Sequence, residues 1–299
     1  MPEPAPISHR ADVAAALIDW FGQTARDLPW RRPETTPWAS LVSEFMLQQT
    51  QVERVIPRYL SWIERWPTPS SLAADPAGEA VRAWDRLGYP RRALWLHQAA
   101  SEIAERHGDL VPRDIAELEA LTGIGPYTAR AVAVFAYGER HPVVDTNTRR
   151  VLARAVHGVA AAGMPRPADL DDMAAILPQR LAEAATVNAA AMELGAVVCT
   201  ARQPRCDECP IAQWCEWRGA GYPDNAPVKR PKQAAFEGSD RQARGAIMAV
   251  ARRAHAAIPR AQALAAVERP ADPEQPLRAL ESLVADGLLV EGPDGLTLP

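Results

Sequence analysis

Leu121-Thr122-Gly123-Ile124-Gly125-Pro126-Tyr127-Thr128-Ala129 is the stretch around which this chain organises. Two glycines one residue apart, Gly123 and Gly125, permit a tight turn whose backbone amides no side chain shields. A helix N-terminus directly after them can hold a phosphate. A lone G-x-G is more often an ordinary turn between two helices. Helical patterns do flank it. From Ala11 to about Trp217 apolar residues recur at three- and four-residue spacing, as in Val13, Leu17, Trp20 and Phe21, with breaks at Pro67–Pro69, Gly88–Pro90, Gly123–Pro126 and Pro165–Pro167. Almost nothing alternates with period two, and no internal repeat is visible, so a mainly α region is predicted.

Downstream of the turn, a short apolar run ends in an acid: His141-Pro142-Val143-Val144-Asp145-Thr146-Asn147-Thr148-Arg149-Arg150. Taken alone, Asp145 reads as a helix N-cap, which aspartate makes well. Upstream lies a second acid, in Ser43-Glu44-Phe45-Met46-Leu47-Gln48-Gln49-Thr50-Gln51-Val52. Glu44 is either a surface glutamate paired with an arginine or an acid buried among Val42, Phe45, Met46 and Leu47. Burial would raise its pKa and keep it protonated.

The four cysteines fall within one short segment, Cys199, Cys206, Cys209 and Cys215, spaced C-x6-C-x2-C-x5-C. Crowded thiolates call for a metal to offset their repulsion. Zinc sites usually use two short hooks separated by a longer span, whereas four thiolates can also hold a cubane cluster. Spacing leaves both open.

With these three motifs in hand, the chain resembles the endonuclease III and MutY glycosylases, helix-hairpin-helix enzymes of base excision. The cysteine spacing is similar to their cluster loop and implies a [4Fe-4S] cluster. In that family the loop between the first two cysteines contacts DNA phosphates, which here points to Arg202 and Arg205, although a merely solvated loop would also carry them. The 121–129 stretch resembles the family hairpin L-P-G-I-G-x-x-T-A, which grips the DNA backbone without reading sequence. Asp145 then matches the aspartate that faces the sugar of the flipped nucleotide, and Asn147 the residue supporting it. The MutY wording D-G-N-V stands here as D-T-N-T.

Several segments resemble MutY in particular. Val42–Val52 is similar to V-S-E-x-M-L-Q-Q-T-Q-V, whose glutamate endonuclease III lacks; this places Glu44 as the acid and Leu47, Gln48, Gln49 and Thr50 against DNA. Leu28-Pro29-Trp30-Arg31 resembles the adenine-pocket segment, Met192-Glu193-Leu194-Gly195 the segment whose glutamate contacts adenine, and Leu87-Gly88-Tyr89 the wedge whose tyrosine enters the stack. The family's second wedge tyrosine is Pro90 here. Where endonuclease III carries its Schiff-base lysine stands Tyr127, and no lysine precedes Lys229. The resemblance therefore implies a monofunctional enzyme with water as nucleophile, removing adenine opposite 8-oxoguanine or guanine. Thymine- or uracil–guanine mismatch glycosylases also carry a tyrosine there, and a non-catalytic iron–sulfur DNA-binding protein would need neither Glu44 nor Asp145. The implied fold is a six-helix barrel plus a cluster domain over residues 11–218, the cluster loop spanning 199–215.

Residues 219–240 read as a linker and 1–10 as a flexible start. Residues 241–299 form another pattern: helices at Arg241–Ala256, Pro259–Val267 and Pro276–Asp286, then Leu288–Val290 and Leu296–Leu298 around Gly292-Pro293-Asp294-Gly295, a hairpin signal. This reads as a small winged-helix-like domain or as a helical cap on the main domain. Roughly 70 residues follow Lys229, about half of what a MutT-like domain needs, and no Phe-Ser-His loop is present. Arg241, Arg244, Arg252, Arg253 and Arg260 suggest nonspecific phosphate contacts.

The formal net charge of −4 argues against nucleic-acid binding as a bulk property, so any DNA surface must be a local basic patch. No apolar run reaches the roughly 18 residues of a membrane span, and residues 1–10 do not resemble a signal peptide. The expectation is a monomeric, cytoplasmic, nucleoid-associated protein that binds mispaired double-stranded DNA and no membrane.

Overall fold

The computed structural model describes residues 9–226 and 235–299. Most of the predicted flexible start, the middle of the predicted linker, and Lys229 and Lys232 lie outside the described residues. In chain order the helices are α1 (Arg10–Thr24), α2 (Pro37–Leu47), α3 (Val52–Arg65), α4 (Pro69–Ala73), α5 (Ala77–Trp84), α6 (Arg91–Arg106), α7 (Ile115–Glu119), α8 (Pro126–Phe135), α9 (Thr146–Ala155), α10 (Pro167–Ile176), α11 (Leu181–Val197), α12 (Glu216–Gly219), α13 (Asp240–Arg253), α14 (Arg260–Ala265) and α15 (Gln275–Ala285). The strands β1 (Val290–Gly292) and β2 (Gly295–Thr297) form the one sheet among the described residues. The mainly α expectation holds, and no described helix is long and apolar enough to cross a membrane. The chain divides into two compact units, one of residues 1–35, 113–116 and 124–230, the other of 36–112, 117–123 and 231–299.

In the first unit α1, α9, α10 and α11 bury a common core of Leu17, Leu152, Met173, Val187 and Leu194. The alanine-rich α11 supplies this contact because small side chains let neighbouring helices approach closely. At Gly195 the approach leaves no room for a side chain: a Cβ there would lie 2.7 Å from the Asn147 carbonyl oxygen. Asn188, fully buried on the same helix, accepts from the Val143 amide at 2.8 Å and donates to the His141 carbonyl at 3.1 Å. It thereby fixes the extended run that leads into Asp145.

The second unit is built on tryptophan. Trp62 packs edge-on against Trp66 and Trp84, with ring centres 4.7 and 5.8 Å away, between α3, α5 and α6. The α2 helix starts at Pro37 with Thr36 as its cap, the Thr36 hydroxyl accepting from the Ala39 amide at 3.1 Å. Residues Trp38 to Met46 are all buried.

The tail belongs to this second unit. Its helices start and stop within a few residues of the predicted bounds, and the hairpin pairs Val290 with Thr297 and Gly292 with Gly295. The sequence pattern does not show a third strand segment: Ile258 and Leu296 exchange amide–carbonyl bonds of 2.9 Å in an antiparallel bridge. The tail lies against α5 and α6. The Gly78 amide donates to the Pro299 carbonyl at 2.6 Å, the Arg82 side chain donates to the Arg252 carbonyl, and Arg91 pairs with Asp286 at 3.2 Å. Two of the arginines suggested for phosphate are tied internally, Arg244 to Asp286 at 2.6 Å and Arg260 to Glu291 at 2.7 Å.

Candidate active site and cluster loop

Asp145 is the N-cap of α9, as its reading taken alone has it. Its Oδ1 accepts from the Thr148 amide at 2.6 Å and its Oδ2 from Asn147 Nδ2 at 3.0 Å. Asn147 is held in turn by Arg150, whose Nη2 donates to Asn147 Oδ1 at 2.9 Å and to the Gly195 carbonyl at 2.5 Å. The Arg150 Nε donates to the Cys199 carbonyl at 2.7 Å. One guanidinium thus joins the support of Asp145 to the first residue of the cysteine loop. Tyr127 lies in the first turn of α8, directly after Gly125 and Pro126, and is half-buried.

Trp30 and Arg31 sit in a single 3-10 turn, Pro29–Arg31. Glu193 on α11 is 1% exposed, which would be costly for a carboxylate without partners. It has two: Arg26 Nε at 2.6 Å and Arg31 Nη2 at 2.9 Å. Burial pushes the Glu193 carboxyl up, but the Arg26 hydrogen bonds and the nearby Arg31 outweigh it, leaving the group below its ordinary range. Arg26 is a site residue that the Leu28–Arg31 segment does not contain. An arginine just before that segment was the available signal.

In the second unit Glu44 is 7% exposed on α2, among Val42, Phe45 and Met46. Leu47 ends that helix, Gln48 caps it, and Gln49 is exposed with φ 54°. Leu87 is buried; Tyr89 is 52% exposed with φ 47°. Thr50 links the two segments, its hydroxyl lying 3.3 Å from the Leu87 carbonyl. The hairpin turn is fixed by Glu102, which accepts from the Thr122 amide and hydroxyl at 2.9 and 2.8 Å. Gly123 has φ 80°, and a Cβ there would meet Trp95 Cβ at 2.8 Å. Gly123, Gly125 and Pro126 are exposed, leaving the turn's backbone open to a ligand.

Cys199, Cys206, Cys209 and Cys215 line a single cavity in the first unit. Four cysteines that line one cavity supply the donor set of a cubane cluster. The protein also supplies donors to the sulfurs. Arg154 Nη1 lies 3.3 Å from Cys199 Sγ, and the same guanidinium stacks 4.6 Å from Trp217. Burial pushes the Cys209 thiol up to about 12, and the neighbouring cysteines add to the push. Arg202 is exposed; Arg205, also exposed, donates to the Val197 carbonyl at 2.6 Å and pairs with Glu208 at 2.8 Å.

Residues 42–161 match the HhH-GPD superfamily of base excision DNA repair proteins, and residues 199–215 match the iron-sulfur binding domain of endonuclease III. The fold is shared with a thermostable thymine-DNA glycosylase at TM-score 0.64 and 23% identity, over 71% of this chain and 97% of the other. The chain is a DNA N-glycosylase of base excision repair that binds DNA and carries a [4Fe-4S] cluster. Across 99% of its length the chain is 51% identical to an adenine DNA glycosylase of Mycobacterium tuberculosis, covering 96% of that protein. It is 40% identical to the human adenine DNA glycosylase over 70% of this chain and 40% of the human one. The chain belongs to the adenine DNA glycosylase family.

Proposed function

We propose that this enzyme hydrolyses the N-glycosidic bond of adenine mispaired with 8-oxoguanine or guanine, and that it does so without cleaving the strand. The observation that carries the reading is Asp145, a carboxylate held by the Thr148 amide and Asn147 at the start of α9, the helix after the one that follows the hairpin turn. Glu44 donates a proton to adenine N7. The C1′–N9 bond breaks, its electron pair leaving with the base, and Asp145 stabilises the oxocarbenium-like sugar. Water adds at C1′ and returns its proton to Glu44, leaving an abasic site. Tyr127 stands where a lysine would be needed for strand cleavage. Tyr89 and Gln49 enter the stack as the base is flipped, and Trp30, Arg31 and Glu193 receive the adenine. The exposed hairpin turn and Arg202 meet phosphates. The cluster, held by Cys199, Cys206, Cys209 and Cys215, stabilises its loop. The protein is proposed to act as a cytoplasmic monomer. Its domain plan is a glycosylase region over 11–218, a linker over 219–240 and a winged-helix-like domain over 241–299.

Single-turnover excision on duplexes with adenine opposite 8-oxoguanine, guanine or cytosine, and thymine or uracil opposite guanine, tests this directly. Adenine should be released opposite the first two and the pyrimidines should not. Glu44→Gln and Asp145→Asn should each bind these duplexes yet lose about 10²–10⁴-fold in rate. Thymine release opposite guanine, or wild-type turnover in either variant, would overturn the assignment.

A further inference from the structure

Arg92 is a buried cation without a carboxylate among its hydrogen-bond acceptors. It sits on α6, 3% exposed. Its Nη1 donates to the carbonyls of Phe45 and Gln48 at 2.7 and 2.6 Å, and its Nη2 donates to Thr50 Oγ1 and to the Gly88 carbonyl, both at 3.1 Å. The guanidinium carbon lies 5.6 Å from the Tyr89 ring centre and 5.1 Å from that of Trp84. Burial pulls its pKa down to about 10, which still leaves it charged at neutral pH. Its Nε is buried with no hydrogen-bond partner among the described residues. A cation placed this way is a poor choice for stability alone, because apolar residues of similar volume could fill the site at no electrostatic cost.

The five acceptors, the Met46 carbonyl at 3.4 Å included, lie at the end of α2 and in the loops that follow α2 and α5, and each loop carries one exposed residue in a backbone conformation that side chains disfavour. Gln49 follows Gln48 with φ 54°, and Tyr89 follows Gly88 with φ 47°. Such strained residues persist only where their surroundings over-determine them. A planar fork with donors on both nitrogens can hold two chain segments at once; a lysine ammonium, a single point on a flexible stem, cannot.

We propose that Arg92 is a positioning residue that locks the 47–50 and 87–89 segments into one preorganised double wedge, so that Gln49 and Tyr89 enter the base stack as a unit. The proposal rests on the reading above, in which a base is extruded from duplex DNA. Ordering both segments before DNA arrives removes the entropy that two independent loops would lose on insertion.

The test is a mutant cycle on the full-length, cluster-loaded protein. Gln49→Ala, Tyr89→Ala and the double variant are measured with Arg92 intact and again with Arg92→Lys. Base extrusion is followed by 2-aminopurine fluorescence beside the target adenine and chemistry by single-turnover excision. With Arg92 intact the two alanine effects should be non-additive by about tenfold, within the range that contacting residues show. With Arg92→Lys they should become additive, and extrusion should slow about tenfold while cluster absorbance and duplex affinity hold. Thr50→Val, which keeps the guanidinium but removes one of its acceptors together with the Thr50–Leu87 contact, should also weaken the coupling and covers the case in which Arg92→Lys fails to fold. Additive effects in the Arg92 protein, or coupling unchanged in Thr50→Val, would overturn the pin while leaving the wedge. If neither alanine substitution slows extrusion, the wedge reading itself fails, and the pin with it.

Discussion

Gly195→Ala adds one methyl group where α11 meets the first turn of α9. That Cβ would lie 2.7 Å from the Asn147 carbonyl oxygen and 2.8 Å from both the Asn147 carbonyl carbon and its Cβ. Ordinary contact needs roughly 3.4 Å or more, so the turn must retreat by several tenths of an ångström, and backbone cannot rotate aside as a side-chain tip can. Alanine gains about 1 kcal/mol over glycine in helix propensity. Overpacking of this kind costs about 1–3 kcal/mol. The net loss of stability is therefore small, about 0–2 kcal/mol, worth a few degrees in melting temperature. Catalysis should suffer far more. Asn147 is the side-chain donor to Asp145 Oδ2, and Arg150 spans Asn147 and Gly195. Misplacing a reacting group by about 1 Å can cost ~10²-fold, so the displacement here should lower single-turnover excision by about 10- to 100-fold. Excision, thermal melting and iron content should be measured on the same preparation. Wild-type excision in a folded, iron-replete Gly195→Ala protein would show that the α9–α11 approach does not govern Asp145, and would refute the reasoning.

Strand breaks at the product should require alkali or heat, and borohydride should trap no covalent complex through the catalytic region, because no lysine precedes Lys229; such a complex mapped within residues 9–226 would contradict this. Purified protein should be yellow-brown with about four irons per chain, and Cys206→Ala should lose iron and loosen the 199–215 loop, as proteolysis would report; a colourless protein holding stoichiometric zinc would count against the cubane. Glu193→Gln should destabilise the protein at neutral pH by about 1–3 kcal/mol, since the partly exposed Arg26 and Arg31 would keep an amide oxygen but lose the charge they share. Because the Glu193 carboxyl is held below its ordinary range, its stabilising contribution is present above that range and fades as pH falls through the folded-state value. The melting-temperature gap between the two proteins should thus narrow on acidification, and a gap that widens would reverse the assignment. Truncation at residue 234 should lower the melting temperature and the excision rate together, because the tail covers α5 and touches α6; unchanged melting would show the tail to be dispensable.

Local motifs were legible because their chemistry is written in adjacent residues. The cysteine spacing, the paired glycines and the Asp145–Asn147 pair each sit within a few positions of one another, and the structure joins Asn147 to Asp145 directly. What the sequence hid depends on partners far along the chain. Arg92 reaches back to Phe45 and Gln48, Arg26 pairs with Glu193, and Asn188 holds His141 and Val143. A polar residue inside the alanine-rich α11 was a hint that something buried needed a hydrogen bond, but not which carbonyl. The ion pairs of two tail arginines were hidden for the same reason. Composition shows their charge, and only the fold shows Asp286 and Glu291 neutralising Arg244 and Arg260.

The Gly78–Pro299 hydrogen bond has a bearing on how the polypeptide emerges from the ribosome. The second unit is split in sequence, its two main parts separated by residues 124–230. Domains tend to fold from the N-terminal side as synthesis proceeds, yet α5 gains its final contact only when residue 299 has left the exit tunnel. Until then the nascent chain exposes the face of α5 that Leu298 and Pro299 cover, with Gly78 leaving no room for a side chain. The first unit, with its cysteine loop, is complete by residue 230. All four cysteines are therefore synthesised before residues 231–299 of the second unit.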